Sequence, residues 1–322
     1  MMKIVRTVLC LMCLIHSSEY LTAQMSHLNS LHQTDIYSIL PAYGGLDRSL
    51  SLNFNYRSQW TSLEGNPEQL YVNAHLPVRI LKGGAGMTIH QDRVGSISFT
   101  SVGLSYNRLY FVEDRVFSLA LKLGMTQASN DGNLIITPEG IYENGTFSHE
   151  DPLLSINVVS GVRPDYSISL FAGAQNYDLG ISFYNQFLPD TNIGDTDIES
   201  NKQLLIFGRF PRVLFGQLIQ PSFLIRSDFQ RIQSELSVIV KNGKIFGGLG
   251  LRGYSTNSLD ALVLSLGIKL NKHYTISYAY DQGLSKLGTI SGGSHEINVN
   301  YNLNRLLGIG MPPPVIYNPR NL

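Results

Sequence analysis

The sequence predicts an all-β protein, a closed membrane barrel of about 14 antiparallel strands. Three observations carry that expectation. Apolar and polar residues alternate with a period of two in one segment after another, as in Leu52, Phe54 and Tyr56 against Ser51, Asn53 and Asn55. Successive strand side chains point to opposite faces, so each segment has one apolar and one polar face. The segments run to about ten residues, the length of a tilted membrane strand, whereas ordinary strands average about five or six. Aromatic residues gather near the ends of the apolar faces (Tyr56 and Trp60, Tyr106 and Tyr110, Tyr278 and Tyr280), as in the interfacial girdles of membrane barrels.

The elements follow in chain order. Residues 1–24 read as a secretory signal peptide, with Lys3 and Arg6 ahead of a short apolar run from Val8 to Ile15 and Leu21-Thr22-Ala23 before Gln24. That run is too short to span a bilayer as a helix. Both cysteines, Cys10 and Cys13, leave with it, so the mature chain is expected to have no disulfide and no thiolate site. Residues 25–48 form an irregular N-terminal segment. The barrel is expected over 49–303, with its first strands near 49–59, 67–77, 84–92, 97–110 and 115–127. Further strands are expected near 166–175, 178–187, 202–210, 213–226, 229–240, 245–254, 260–270, 273–282 and 294–303. Leu153 to Val162 is apolar but is left out of the wall, as a short extra strand within a loop. Tight connections at Asn176-Tyr177, Pro211-Arg212, Asn242-Gly243 and Asn271-Lys272 then share one side, and the long ones at 128–165, 188–201 and 283–293 share the other. Residues 304–322, with Pro312-Pro313-Pro314, form a tail. Either this tail or residues 25–48 could plug the lumen.

Composition excludes several functions. Lys and Arg number 24 against 24 Asp and Glu, and only 15% of residues are charged, so no positive field exists to attract nucleic acid. His27 and His32 lack metalloprotease spacing, and Gly83-Gly84-Ala85-Gly86 lacks the phosphate-loop Lys. No metal or other cofactor is expected. Ser294 and His295 are neighbours on one strand and point to opposite faces, which argues against a nucleophile–base pair. A non-enzymatic protein is expected.

Specific residues then point to a family. Pro41-Ala42-Tyr43-Gly44-Gly45, Tyr56-Arg57-Ser58-Gln59-Trp60, Gly84-Ala85-Gly86 and Gln91-Asp92-Arg93-Val94-Gly95 occur in order. They are followed by Gly250-Leu251-Arg252, Ser277-Tyr278-Ala279-Tyr280-Asp281 and Gly293-Ser294-His295-Glu296-Ile297. Together they resemble the PorP/SprF family of type IX secretion membrane proteins. One departure is Leu40, where the family usually has Asn, so a capping or turn role there is lost or moved. The resemblance implies a bacterial outer-membrane protein that assists export and surface attachment of large secreted proteins, such as gliding adhesins. Its partners would be outer-membrane lipid, type IX secretion components and cargo with a C-terminal sorting domain. The motif residues it singles out, as structural or partner contacts, are Pro41, Ala42, Tyr43, Tyr56, Arg57, Gln59, Trp60, Asp92, Gly95, Tyr278, Tyr280, Asp281, Ser294, His295 and Glu296. Arg57 reads as a lumen-lining Arg paired with a carboxylate and Trp60 as an interfacial residue, the alternative being contact with a partner protein. The acidic loop 188–201, with Asp190, Asp195, Asp197 and Glu199, is expected at an outer rim. A second functional class, a solute channel, fits a barrel of this size unless it is plugged.

Overall fold

A computed structural model describes residues 28–307, except 143–146, 152–153, 187–190, 194–195, 199–201, 255–257, 285–287 and 289. The signal peptide, His27, Asp190, Asp195, Glu199 and the Pro312–Pro314 tail lie outside the described residues. The first strands are β1 (Ser51–Gln59), β2 (Glu68–Val78), β3 (Gly83–Val94), β4 (Ile97–Val112) and β5 (Arg115–Asp131). After them come β6 (Val158–Ala174), β7 (Tyr177–Tyr184), a small hairpin of β8 (Thr191–Ile193) and β9 (Thr196–Ile198), then β10 (Gln203–Arg209) and β11 (Arg212–Leu214). The chain continues through β12 (Gln217–Ser227), β13 (Ile232–Asn242), β14 (Ile245–Tyr254), β15 (Ser258–Lys269), β16 (Tyr274–Gly283) and β17 (Ser294–Asn302).

Neighbours pair antiparallel in chain order, β1 pairs with β17, and β10 pairs with β12. The large sheet has 15 strands. Since β10 and β11 are two parts of one wall position, the ring closes with 14. Closure removes every unpaired edge, which a hydrocarbon environment would penalise at each N–H and C=O. Alternation then sorts the side chains. On β5, Phe117, Leu119, Leu121, Leu123 and Met125 are exposed on the outer wall, while Val116, Ser118 and Ala120 are buried inside.

Two expectations about the wall change. Val158 to Val162 is not a separate strand within a loop. It is the first part of β6 and pairs with β5 from Val158 opposite Asp131 to Val162 opposite Gln127. Pro164 interrupts the pattern in sequence, yet β7 reaches only as far as Ser167. Pro164 therefore lies on a stretch with no ladder partner on that side, where a missing N–H costs nothing. The second change concerns Pro211-Arg212, which is not a turn. The chain passes through it from β10 to β11 and reverses four residues later at Phe215-Gly216, both with positive φ (52° and 73°). Pro221 sits opposite this break, its carbonyl accepting from Phe210 N at 2.9 Å.

Six connections between wall strands, all of four residues or fewer (79–82, 113–114, 175–176, 215–216, 243–244 and 270–273), share one end with the start of β1 and the end of β17, and the short connections 95–96, 228–231 and 255–257 lie at the other. The three longest connections, 132–157, 185–202 and 284–293, share the opposite end.

Residues 28–48 fill the lumen. They turn through two short 3₁₀ segments, η1 (Ile36–Ser38) and η2 (Pro41–Tyr43). Asp35 caps η1 by accepting from Ser38 N, and Pro41 starts η2 with the φ that proline favours. Ile36, Ile39, Leu40, Ala42 and Leu46 form an apolar cluster with Leu109, Val116, Ala120, Phe171, Leu205, Phe207 and Leu224 of the wall. The core of this barrel is thus built by its own N-terminal segment.

Candidate functional site

The strand pattern directs Asn55, Arg57 and Gln59 of β1 inward together with Ser294, Glu296 and Asn298 of β17, all buried. Register sets the two motifs opposite each other where the barrel closes: Tyr56 faces Ile297, Arg57 faces Glu296, Ser58 faces His295 and Gln59 faces Ser294. Arg57, 1% exposed, donates to Asp281 Oδ2 of β16 at 2.7 Å and to Glu296 Oε2 at 3.1 Å. Arg252 of β14 donates to the same Asp281 oxygen at 2.8 Å and to Glu235 Oε2 of β13 at 2.7 Å. A register shift beside Arg252, between Arg252 and Gly253, is a local irregularity of the kind that re-aims a side chain. The result is a chain of ion pairs from five strands, β1, β17, β16, β14 and β13, that reaches over β15 near the long-loop end of the lumen. Two arginines stand against three carboxylates, and Arg226 of β12, also buried, brings the local charge to balance.

Residues 28–33 lock onto this cluster with neutral groups. Ser30 Oγ accepts from Arg57 at 3.0 Å and from Arg252 at 2.6 Å, and donates to Asp281 at 2.9 Å. The backbone N–H groups of Ser30 and Leu31 donate to the two oxygens of Glu296 at 2.8 and 3.1 Å, and Asn29 O accepts from Arg226 at 3.2 Å. Gln33 O accepts from Arg209, which is itself paired with Asp178. Buried charges are costly unless paired and hydrogen-bonded, and here the wall pairs its own charges while the plug satisfies their remaining sites.

The plug's own ionisable groups are pushed toward neutrality. Burial lowers His32 despite Glu235 at 3.7 Å. Burial raises Asp35 to about 7 against the opposing hydrogen bonds from Asn73 and Ser38, and raises Tyr37 to about 12. Several buried lumen atoms, among them Asn298 Oδ1 and Nδ2, Ser277 Oγ and Asn55 Oδ1, have no protein partner. Such groups are of the kind that ordered water satisfies, and they lie on the polar side of the lumen, away from the apolar cluster around Leu40.

The remaining motif residues take distinct places. Pro41, Ala42 and Tyr43 lie in the plug. Ala42 N donates to Ser169 Oγ at 2.8 Å, and the Tyr43 ring meets Phe171 edge-on at 5.6 Å. Leu40 occupies the N-cap position of η2 with no side-chain cap. Its side chain instead fills the space left by Gly180, where a Cβ would collide with it. Gly84 and Gly86, read from sequence only as opening a strand, leave room for the plug. A Cβ on Gly84 would strike Gly44 O, and one on Gly86 would strike the Tyr37 hydroxyl. Trp60 sits at the end of β1 with φ 56° and its N–H donates to Ser294 Oγ at 3.3 Å. Tyr56, Tyr278 and His295 face outward, with Tyr278 Oη and His295 Nδ1 2.6 Å apart. Tyr280 donates to Gln282. Asp92 pairs with His90 at 3.0 Å on β3, and Gly95 makes the β3–β4 turn with φ 57°. The structure thus brings Arg57, Asp281 and Glu296 together and leaves Asp92 and Gly95 apart from them. Ser294 points inward and His295 outward. Sequence reasoning missed Arg252, Glu235, Arg226 and Ser30 as members of the cluster. The first three stand on the polar faces of their strands, a signal the alternation carries, but nothing local marks Ser30.

The family profile described as "Type IX secretion system membrane protein PorP/SprF" matches residues 22–301. No curated protein matches the chain. Among solved structures, the chain is similar to the outer membrane protein Omp33 of Acinetobacter baumannii, with 6% identity, a TM-score of 0.45, and coverage of 79% of this chain and 98% of that one. It is also similar to a substituted form of the Rh. blastica porin, at 7% identity, a TM-score of 0.35, and coverage of 79% and 99%.

Proposed function

The chain belongs to the PorP/SprF family of type IX secretion system membrane proteins, and from that premise we propose that it is a non-enzymatic outer-membrane partner in the export and surface attachment of large secreted proteins. The observation that carries this reading is the family match over residues 22–301. The lumen adds support from a different direction. A barrel whose interior is occupied by residues 28–48, hydrogen-bonded to the wall from Ser30 to Gly45, favours docking at its rims over passage of a solute.

On this reading the short turns and both strand termini lie on the periplasmic side, and the long connections face outward. Connections 132–157 and 185–202, the second with the β8–β9 hairpin, form the outer rim that holds the cargo's C-terminal sorting domain. The test is deletion of residues 190–199. The barrel should reach the outer membrane at normal abundance, because external loops tolerate change, while surface-retained cargo falls and free cargo in the medium rises. Normal abundance with full cargo retention would remove this rim from the docking surface.

A further inference from the structure

The two ends of the barrel differ in their exposed charge. At the short-turn end, Arg79, Lys82, Arg212, Lys244, Lys272 and Arg305 are all exposed. Among the described residues the exposed acids there are Glu113 and Asp114, and Asp114 lies 4.0 Å from Arg115. At the long-loop end, among the described residues, the cations lose their excess: Glu64, Glu139, Glu150 and Asp151 are exposed, against Arg93, Lys202 and Arg231. The cations at the short-turn end are spread over the β2–β3, β13–β14 and β15–β16 turns, the start of β11 and the chain beyond β17. They form an arc that runs from β11 through β17 to β3, and the two exposed acids stand at the β4–β5 turn outside it.

Their level is set by what lies beside them. Tyr106, Tyr110 and Tyr274 are exposed on the outer wall just inside the short-turn end. The Arg108 guanidinium stands 5.9 Å over the Tyr110 ring and donates to Leu81 O at 2.8 Å. A Tyr belt with an Arg folded against it marks the height at which hydrocarbon gives way to headgroups. The exposed cations begin immediately past that belt. Two apolar turn tips lie among them, Ile80 at 93% exposure and Phe215 at 101%. In water both would be fully wetted apolar groups, whereas a headgroup layer can accept apolar tips beside cations.

We propose that the short-turn rim is a binding surface for anionic phospholipid headgroups, held by the arc of lysines and arginines that runs from β11 through β17 to β3. This rests on the membrane-barrel fold and stands apart from the cargo role. The cations pair with headgroup phosphates, and the apolar tips enter the interface.

The experiment uses the full-length protein in phosphatidylcholine vesicles carrying trace spin-labelled phosphatidylglycerol or spin-labelled phosphatidylcholine. The wild type should select phosphatidylglycerol severalfold at low salt, and the preference should decay as salt screens the charges. The combined variant Lys82→Gln, Lys244→Gln, Lys272→Gln and Arg305→Gln should bring the preference close to unity. A control changed at the other end, Arg93→Gln, Lys202→Gln and Arg231→Gln, should keep it. Heat-modifiable gel mobility reports whether each variant is folded, and the salt series on the wild type decides the matter even if one is not. The proposal is overturned if the wild type shows no preference, or if the folded rim variant keeps it. Loss of the preference to free inorganic phosphate at constant ionic strength would also overturn it, by showing a phosphate site instead of a headgroup surface. So would retention of an acidic protein through these same cations with no lipid preference.

Discussion

Arg57 is held by two carboxylates and a hydroxyl from three parts of the chain, Asp281, Glu296 and Ser30. Truncating it would leave Asp281 sharing Arg252 with Glu235, and Glu296 with only neutral donors. Breaking a buried pair in this way costs about 3 kcal/mol. Arg57→Ala should therefore lower the urea midpoint of the refolded barrel far more than Arg93→Ala at the exposed rim. A variant as stable as wild type would show that lumen water replaces the guanidinium. Asp35 allows a pH test. Its folded value is raised to about 7 from 3.8 by burial, so the protonated form is favoured in the docked plug. The stability it contributes is fully present below about 3.8 and is lost as pH rises through about 7. Asp35→Asn should flatten the stability profile across that window, and an unchanged slope would place the titration elsewhere. Leu40 is the third case at this scale. It is fully buried against Gly180, and Leu40→Ala should cost about 3 kcal/mol, read by the same denaturant midpoint. At this position packing takes the place of a side-chain cap.

The plug is the element that decides whether the barrel conducts. Its buried groups are hydrogen-bonded by neutral contacts, while the wall arginines and carboxylates are paired with each other. Removing residues 28–46 should leave the wall charges compensated and the strands paired, although the apolar cluster around Leu40 and Phe207 loses its inner half. In planar bilayers the full-length protein should show no steady conductance, and the deletion variant should show a large one. A steady open pore in the intact protein would return the solute-channel reading to the front. The small connections read correctly from sequence, Asn242-Gly243 and Asn271-Lys272, are those where a residue suited to a turn stands between two alternating segments. Gly243 takes φ 59°, as such a turn requires. Pro211-Arg212 misled because proline marks a break in pairing as readily as a reversal. Here β10 and β11 continue along one wall position and the reversal waits for Phe215-Gly216.

At the scale of the whole molecule, a closed ring with an apolar outer wall resists extraction by salt or alkaline carbonate, and surface proteolysis of intact cells tests which end faces out. Cleavage should fall within 132–157 or 185–202 and spare 243–244. Nicking confined to the short turns would invert the orientation. The amino-acid sequence by itself determined the wall: period-two alternation is a local property, so the strands, their faces and the inward direction of Arg57, Asp281 and Glu296 are legible in any ten-residue window. Only the tertiary structure decided what fills the lumen. Residues 28–48 have no periodicity, and their partners are far along the chain, as when Ser30 meets Glu296 and Ala42 meets Ser169. Those contacts exist only once β1 has paired with β17 and the ring has closed, because closure is what brings the polar faces of distant strands around a single interior. The polar face of each strand says that something polar lies inside, but the identity of that partner is a property of the closed ring.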